Sequence, residues 1–214
     1  MTVDISENLK AFLDERAPGR RYASFDYCFN HFQEARESGQ LEHLSSGEGL
    51  LLSCLQLGFY LASWGMMRGS GDLLQRSVRE LAPVVQLIAA EPPSTWELDA
   101  HSYADDAGEV LALSTRIREA FTITASDTLV TKTMLGVFGC VPAFDRYFRI
   151  GFNCQTLCKP ALTRIGRFYE DNQLKLDAQR IHTIDFATGI ETARCYSRAK
   201  IIDMVFFQEG FSRS

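Results

Sequence analysis

The chain has 214 residues, of which 46% are hydrophobic and 23% are charged, as in an ordinary globular protein. No apolar run approaches the roughly 18 residues that a membrane span requires, and the N-terminal sequence MTVDISENLK has no basic signal-peptide region. We therefore expect a cytoplasmic protein that does not associate with a membrane. Its length predicts a single domain over 1–214, with 1–110 and 111–214 as possible packed lobes.

The net charge of −5 argues against a polyanionic partner, but the charge is unevenly distributed. Residues 1–110 hold eight Lys and Arg against seventeen Asp and Glu, whereas residues 111–214 hold fourteen against ten. Because local potential steers a nucleic acid to a surface, the second half is a candidate DNA-binding region. The alternative explanation of these counts is that an uneven charge distribution is common among proteins.

The cysteines lie in apolar segments, and without an export signal we expect reduced, buried thiols. Cys154 and Cys158 are four residues apart, the spacing at which a helix would present both to a metal, but they form no CxxC motif and have no compact His partner set. The sequence therefore predicts neither a metal site nor a cofactor.

Helical periodicity dominates the chain, and strand-like alternation is nearly absent. We predict an all-α fold, a compact bundle of about nine or ten helices. In the first half the predicted helices are 5–16, 25–37 after an N-cap at Ser24, 48–68 after a Ser45/Glu48 capping box, and 72–88 with a kink at Pro83. They continue with 107–121, 126–138, a short helix beginning near Asp145, 156–171 and 174–186. The last predicted helix runs from a Thr188/Glu191 capping box to Gly210.

The segment 122–148, TITASDTLVTKTMLGVFGCVPAFDRYF, combines a defined backbone geometry with a candidate reactive group. Ser126 caps an apolar helix, a proline-containing turn follows, and Asp145 falls in the first turn of the next helix. The helix dipole favours the ionised carboxylate there, and Arg146 and Arg149 lie beside it in sequence. A simple helix cap is the alternative explanation for Asp145.

The runs 131–135 (TKTML) and 141–145 (VPAFD) resemble the helix, proline and aspartate pattern of helix-hairpin-helix DNA glycosylases. This resemblance implies a monofunctional N-glycosylase that flips a base out of double-stranded DNA and hydrolyses its glycosidic bond. Asp145 would stabilise the oxocarbenium-like sugar and activate water. Whether the base is damaged, or enzymatically modified as in phage or other foreign DNA, stays open.

The sequence departs from that family at the hairpin, since 122–127 lacks the glycines that bring backbone amides close to a phosphate. Thr124 and Ser126 are the substitutes we expect there. Lys132 lies inside a predicted helix, which disfavours a Schiff-base mechanism.

A flipped base needs aromatic walls and polar side chains that recognise its edge. Two segments rich in both, 22–32 and 59–70, supply the predicted base pocket: Phe25, Asp26, Tyr27, Asn30, His31, Tyr60, Trp64 and Arg68. The predicted contacts to the DNA backbone are Thr124, Ser126, Lys132, Arg146, Arg149, Arg164 and Arg167. Core packing and solvated helix faces are the alternatives for both sets.

Two further hypotheses stay open. One is a non-catalytic helical module that binds nucleic acid or a protein partner. The other is an unrelated helical enzyme, such as a ribonuclease, built on His31 or on His182 with Asp185 three residues later. We expect a monomer.

Overall fold

Most of the chain is helical. A computed structural model describes residues 3–69 and 71–214. Within these ranges it has ten α-helices and one two-stranded sheet, with short 3₁₀ turns between several of the helices. The elements are α1 Ile5–Asp14, α2 Ser24–Glu37, α3 Leu41–Leu44, α4 Gly47–Ser63, α5 Ala82–Ala90, α6 Tyr103–Ala120, α7 Asp127–Phe138, α8 Arg146–Phe152, α9 Lys159–Asp177, β1 His182–Ile184, β2 Glu191–Cys195 and α10 Arg198–Ser212.

The antiparallel hairpin of β1 and β2 corrects the all-α prediction. The helix predicted over 174–186 is wrong beyond the end of α9, and Thr188 and Glu191 form no capping box. Asp185 instead accepts hydrogen bonds from the backbone N–H and the hydroxyl of Thr188, at 2.8 and 2.7 Å. Gly189 adopts a φ of 68°, so this segment turns and pairs two strands.

Serine caps predicted for two other helices are also wrong. Ser24 is the first residue of α2, and its hydroxyl donates to the carbonyl oxygen of Arg21. Ser45 likewise donates to the carbonyl oxygen of Glu42, while α4 begins one residue after Ser46. Each hydroxyl is thus used as a donor to the preceding turn rather than as an acceptor for the helix that follows.

Two predicted helices have different boundaries. The segment 72–88 holds two 3₁₀ turns and most of α5. Pro83 lies in the first turn of α5, where its missing N–H has no intrahelical partner to lose. The helix predicted over 156–171 continues without a break to Asp177.

The backbones of α8 and α10 touch where they cross. A Cβ atom on Gly210 would lie 1.9 Å from the carbonyl oxygen of Tyr147, and one on Gly151 would lie 2.1 Å from that of Phe206. Gly210 therefore lies inside α10 and does not end it, which corrects the predicted helix end. This crossing fixes α8, the helix that Asp145 precedes.

Helices from both halves of the chain share one hydrophobic core. α1 packs along α10, and α2 and α4 both pack against α7. None of the helices in the described ranges is long and apolar enough to cross a membrane. Because helices of the two halves pack against one another, residues of both halves lie around Asp145.

Candidate active site

Asp145 is the N-cap of α8, one residue before the first turn in which the sequence placed it. Its Oδ1 accepts hydrogen bonds from the backbone N–H groups of Tyr147 and Phe148, both at 3.0 Å. The preceding turn is fixed as well, because the N–H of Phe144 donates to Thr131 Oγ1 at 2.9 Å. The helix-cap explanation therefore accounts for one oxygen of the carboxylate and leaves Oδ2 for other contacts.

Lys132 is the partner of that second oxygen. Its Nζ lies 3.4 Å from Asp145 Oδ2 and donates to the carbonyl oxygen of Trp64 at 2.8 Å. The side chains of Lys132 and Asp145 are only 6% and 12% exposed. Burial lowers the pKa of Lys132, and the charge of Asp145 opposes that shift. Because the amine of Lys132 is buried and engaged by Asp145 and Trp64, the structure shows it in an internal contact and not in the predicted contact with the DNA backbone.

The Lys132–Asp145 pair lines an open cleft of about 510 Å³. This volume lies within the range of about 300–1,000 Å³ typical of small-molecule sites. Trp64, Tyr147 and Phe207 supply aromatic walls. The polar lining is completed by Arg21, Ser63, Arg68, Ser126, Thr128 and Arg146.

A second buried ion pair lies behind the first. Lys200 Nζ is 3.0 Å from Asp203 Oδ2, and Asp203 Oδ1 accepts a hydrogen bond from the N–H of Ala143 at 2.9 Å. Burial raises the pKa of Asp203, with Lys200 opposing the shift. Both ion pairs line an inner void of about 10 Å³. Sequence reasoning missed the pairing of Lys200 with Asp203, although their spacing of three residues suits an ion pair along one face of α10.

The predicted base-pocket residues do not all come together. Trp64 and Arg68 line the cleft, and Tyr60 is buried beside the inner void. Phe25 belongs to the core, where it stacks on Phe29 with ring centroids 5.2 Å apart.

Three other predicted pocket residues make structural contacts away from the cleft. Asp26 is fully buried and accepts a hydrogen bond of 2.5 Å from the hydroxyl of Tyr196. Asn30 Nδ2 donates to the carbonyl oxygen of Ile184 at 3.0 Å, which attaches the hairpin to α2. Tyr27 donates its hydroxyl hydrogen to the carbonyl oxygen of Pro18 at 2.7 Å. None of the three lines the cleft.

In the described residues, neither His31 nor His182 lines the cleft at Asp145, although His182 Nδ1 lies 3.8 Å from Cys195 Sγ. His31 Nε2 lies 2.9 Å from Ser53 Oγ, but Ser53 is fully buried and also bonds to the carbonyl oxygen of Gly49. Burial lowers the pKa of His31. His182 lies in β1, so it shares no helix face with Asp185, whose carboxylate closes the hairpin turn.

The predicted DNA-backbone residues do not form one cluster: Ser126, Lys132 and Arg146 line the cleft at Asp145, and the other four do not. Thr124 and Ser126 are exposed, and Ser126 caps α7 by accepting from the N–H of Leu129 at 3.2 Å, as predicted. Arg146 is exposed beside Asp145. Arg164, in contrast, donates to the carbonyl oxygen of Phe152 at the last residue of α8. Arg149 Nη2 is 3.4 Å from Thr128 Oγ1, and Arg167 is exposed on α9.

In the described part of the chain, no three His, Cys, Asp or Glu side chains converge as metal ligands. No protein-family model, curated protein or solved structure matches this sequence. The fold and the site define the class in structural terms: a mostly helical protein with a buried amine–carboxylate pair in a cationic, aromatic cleft. The function is therefore inferred from that geometry.

Proposed function

We propose that the chain is a monofunctional DNA N-glycosylase in which Asp145 assists hydrolysis of the bond between a flipped base and its deoxyribose. The observation that carries this proposal is the setting of the Asp145 carboxylate. Two backbone amides fix Oδ1, Lys132 pairs with Oδ2, and the residue lines an open cleft of about 510 Å³. A preorganised carboxylate in a partly desolvated cleft suits stabilisation of a developing positive charge.

The aromatic lining suits a flipped base. Trp64 is held in place by Tyr22, with ring centroids 5.1 Å apart, and by Phe207 at 5.7 Å in an edge-on arrangement. Tyr147 contacts Phe207 in the same way at 5.1 Å. Stacking on such rings contributes on the order of 1–3 kcal/mol per base, which offsets the few kcal/mol that extrusion from the duplex costs.

Asp145 would act in two ways as the glycosidic bond breaks. Oδ2 stabilises the positive charge that develops on the sugar, and it accepts a proton from the water that attacks C1′. The water contributes hydroxide to the sugar and its proton to Asp145, and release of that proton through solvent to the departing base regenerates the carboxylate. The inner void of about 10 Å³ beside Asp145 and Lys132 has roughly the size that one water molecule needs.

The amine of Lys132 is a second potential nucleophile in the cleft. Lys132 lies inside α7, as the sequence predicts, but its side chain still lines the cleft. We retain water as the nucleophile because Lys132 Nζ is engaged by Trp64 and Asp145. Borohydride added during turnover distinguishes the routes: we expect no covalent complex, whereas a trapped complex that Lys132→Gln abolishes would assign attack to the amine.

The activity is tested with a panel of duplexes, each carrying one damaged or modified base. Incubation followed by alkaline cleavage reveals abasic sites, and we expect strand breaks at the modified position of at least one duplex. If no duplex yields an abasic site although DNA binding is salt-sensitive, a non-catalytic nucleic-acid-binding module becomes the better description.

A non-catalytic protein-binding module is a second candidate, favoured by an apolar surface. Phe59 of α4 and Phe186 of the hairpin turn are 68% and 76% exposed, and together with Leu55 and Tyr27 they line an adjoining cleft of about 640 Å³. Contiguous exposed apolar groups often mark protein interfaces. A second copy is the first partner to test: under this alternative, sedimentation velocity shows a mass that rises with concentration and that Phe59→Asp returns to the monomer value.

A further inference from the structure

The cleft carries more positive charge than the protein as a whole. Its charged lining residues are Arg21, Arg68, Arg146 and Lys132 against the single carboxylate of Asp145. The chain as a whole has a net charge of −5. Such a local excess of positive charge in an acidic protein attracts an anionic ligand to this cleft.

The three arginines have no carboxylate partner among residues 3–69 and 71–214. Eight other arginines of the described chain do pair with Asp or Glu. Lys132 is the one cation of the cleft that pairs with a carboxylate, at Asp145. The guanidinium groups of Arg21, Arg68 and Arg146 are therefore available to an external anion.

These guanidinium groups come from three separate segments and are positioned by the cleft itself. The Cζ of Arg21 lies 5.5 Å from the centroid of the Trp64 ring. Arg68 folds back over Gly65, where a Cβ atom would lie 2.9 Å from its Cζ. Arg146 directly follows Asp145, and its Cζ is 6.0 Å from the centroid of the Tyr147 ring. Stacking on aromatic rings limits the freedom of Arg21 and Arg146 before any ligand binds.

We propose that Arg21, Arg68 and Arg146 form a phosphate-binding site at the cleft that holds Asp145. The planar guanidinium donates paired N–H groups that match phosphate oxygens, and the charge of the phosphate offsets the surplus of the cleft. The aromatic walls beside the arginines suit a base, so the ligand class is a nucleotide. In the proposed glycosylase, on which this last assignment rests, the phosphate is the one that flanks the flipped nucleotide.

Three probes distinguish the source of the phosphate: a duplex with one tetrahydrofuran abasic-site analogue, the intact duplex of the same sequence, and thymidine 5′-monophosphate. Each is titrated against the wild type and against Arg21→Gln, Arg68→Gln and Arg146→Gln. Arg180→Gln is the matched control, because Arg180 is exposed and does not line the cleft. Thermal melting confirms that each variant is folded.

We expect each of the three cleft substitutions to weaken binding of at least one probe by about tenfold. For a duplex, the slope of log affinity against log salt should fall by about one for each arginine removed. Arg180→Gln should change neither quantity. A loss confined to duplexes identifies a backbone phosphate, and a loss confined to the mononucleotide identifies a free nucleotide; either outcome supports the site.

The proposal is overturned if the three cleft variants bind every probe as tightly as Arg180→Gln. This failure is separable from failure of the glycosylase proposal. Arginine-dependent binding by a protein that releases no base from any duplex keeps the phosphate site and removes the enzyme. Base release together with arginine-independent binding keeps the enzyme and removes the phosphate site.

Discussion

Asp26 and Asp145 are both buried, but their surroundings differ. Asp26 lies against Tyr196 and Arg16 Nε, the latter 3.7 Å from its Oδ2, and it lines neither the cleft at Asp145 nor the one at Phe59. Asp145 has one oxygen fixed by backbone amides and lines an open cleft. From the sequence alone both residues are acids beside aromatic neighbours. Enclosure makes Asp26 a structural residue, whereas access to the cleft makes Asp145 the candidate for chemistry.

The pH dependence of stability should report on Asp26. Burial raises its pKa to about 6, against the lowering effects of Arg16 and the Tyr196 hydroxyl. The folded protein then holds a proton that the unfolded chain loses between about pH 4 and pH 6. The resulting stabilisation is complete below about pH 4 and is lost as the pH rises through 6, by about 3 kcal/mol from this group alone.

Urea unfolding of the wild type and Asp26→Asn at pH 4 and pH 7 measures this effect. Because the amide of Asn does not titrate, the free energy of unfolding of the variant should gain roughly 2–2.5 kcal/mol relative to the wild type between the two pH values. A difference between the two proteins that stays constant with pH would show that Asp26 titrates normally.

Among the elements, α7 was predicted best because its signals are local. Ser126 caps it, and Gly139 ends it with a φ of 68°. The hairpin and the region before α5 were predicted poorly. In both cases the outcome depends on residues distant in sequence: Asn30 of α2 holds β1, and Val78 packs over Gly58 of α4. Periodicity within a short window does not contain these contacts.

The crossing of α8 and α10 gives a prediction about elements. Gly210→Ala places a methyl group 1.9 Å from the backbone oxygen of Tyr147, so the two helices must separate. We expect a loss of stability of about 1–3 kcal/mol or more. Gly108→Ala in α6 is the control, since nothing lies within 4 Å of its Cβ position. That substitution should stabilise the protein by roughly 0.5–1 kcal/mol.

Thermal or urea unfolding of the two glycine variants checks this. Since α8 begins at the Asp145 cap, Gly210→Ala should also reduce any activity more than Gly108→Ala does. Equal stability of the two variants would mean that the helix crossing tolerates a side chain, contrary to the close approach of the two backbones.

At the scale of the whole molecule, the site is built from both halves of the chain. Arg21, Trp64 and Arg68 come from the acidic first half, whereas Lys132 and Asp145 come from the second. The charge counts of the two halves therefore locate only part of the positively charged cleft, because two of its arginines lie in the acidic half. Asp145 was accessible to sequence reasoning because it stands at a helix start, and Trp64 and Arg68 because they lie in a segment rich in aromatic and polar residues. Arg21 and the Lys200–Asp203 pair reach the site only through packing between distant helices.

The central claim is that the Asp145 carboxylate assists cleavage of the glycosidic bond. It is tested most directly by single-turnover release of free base by Asp145→Asn, measured on the duplex that the wild type processes. Asn caps helices about as well as Asp, so α8 should stay in place. We predict a rate lower by about 10²–10³-fold or more, with little change in binding to the abasic-analogue duplex. Asp127→Asn is the control, because Asp127 pairs with Arg118 outside the cleft, and it should keep the wild-type rate. Base release by Asp145→Asn at the wild-type rate would contradict the proposed role of Asp145.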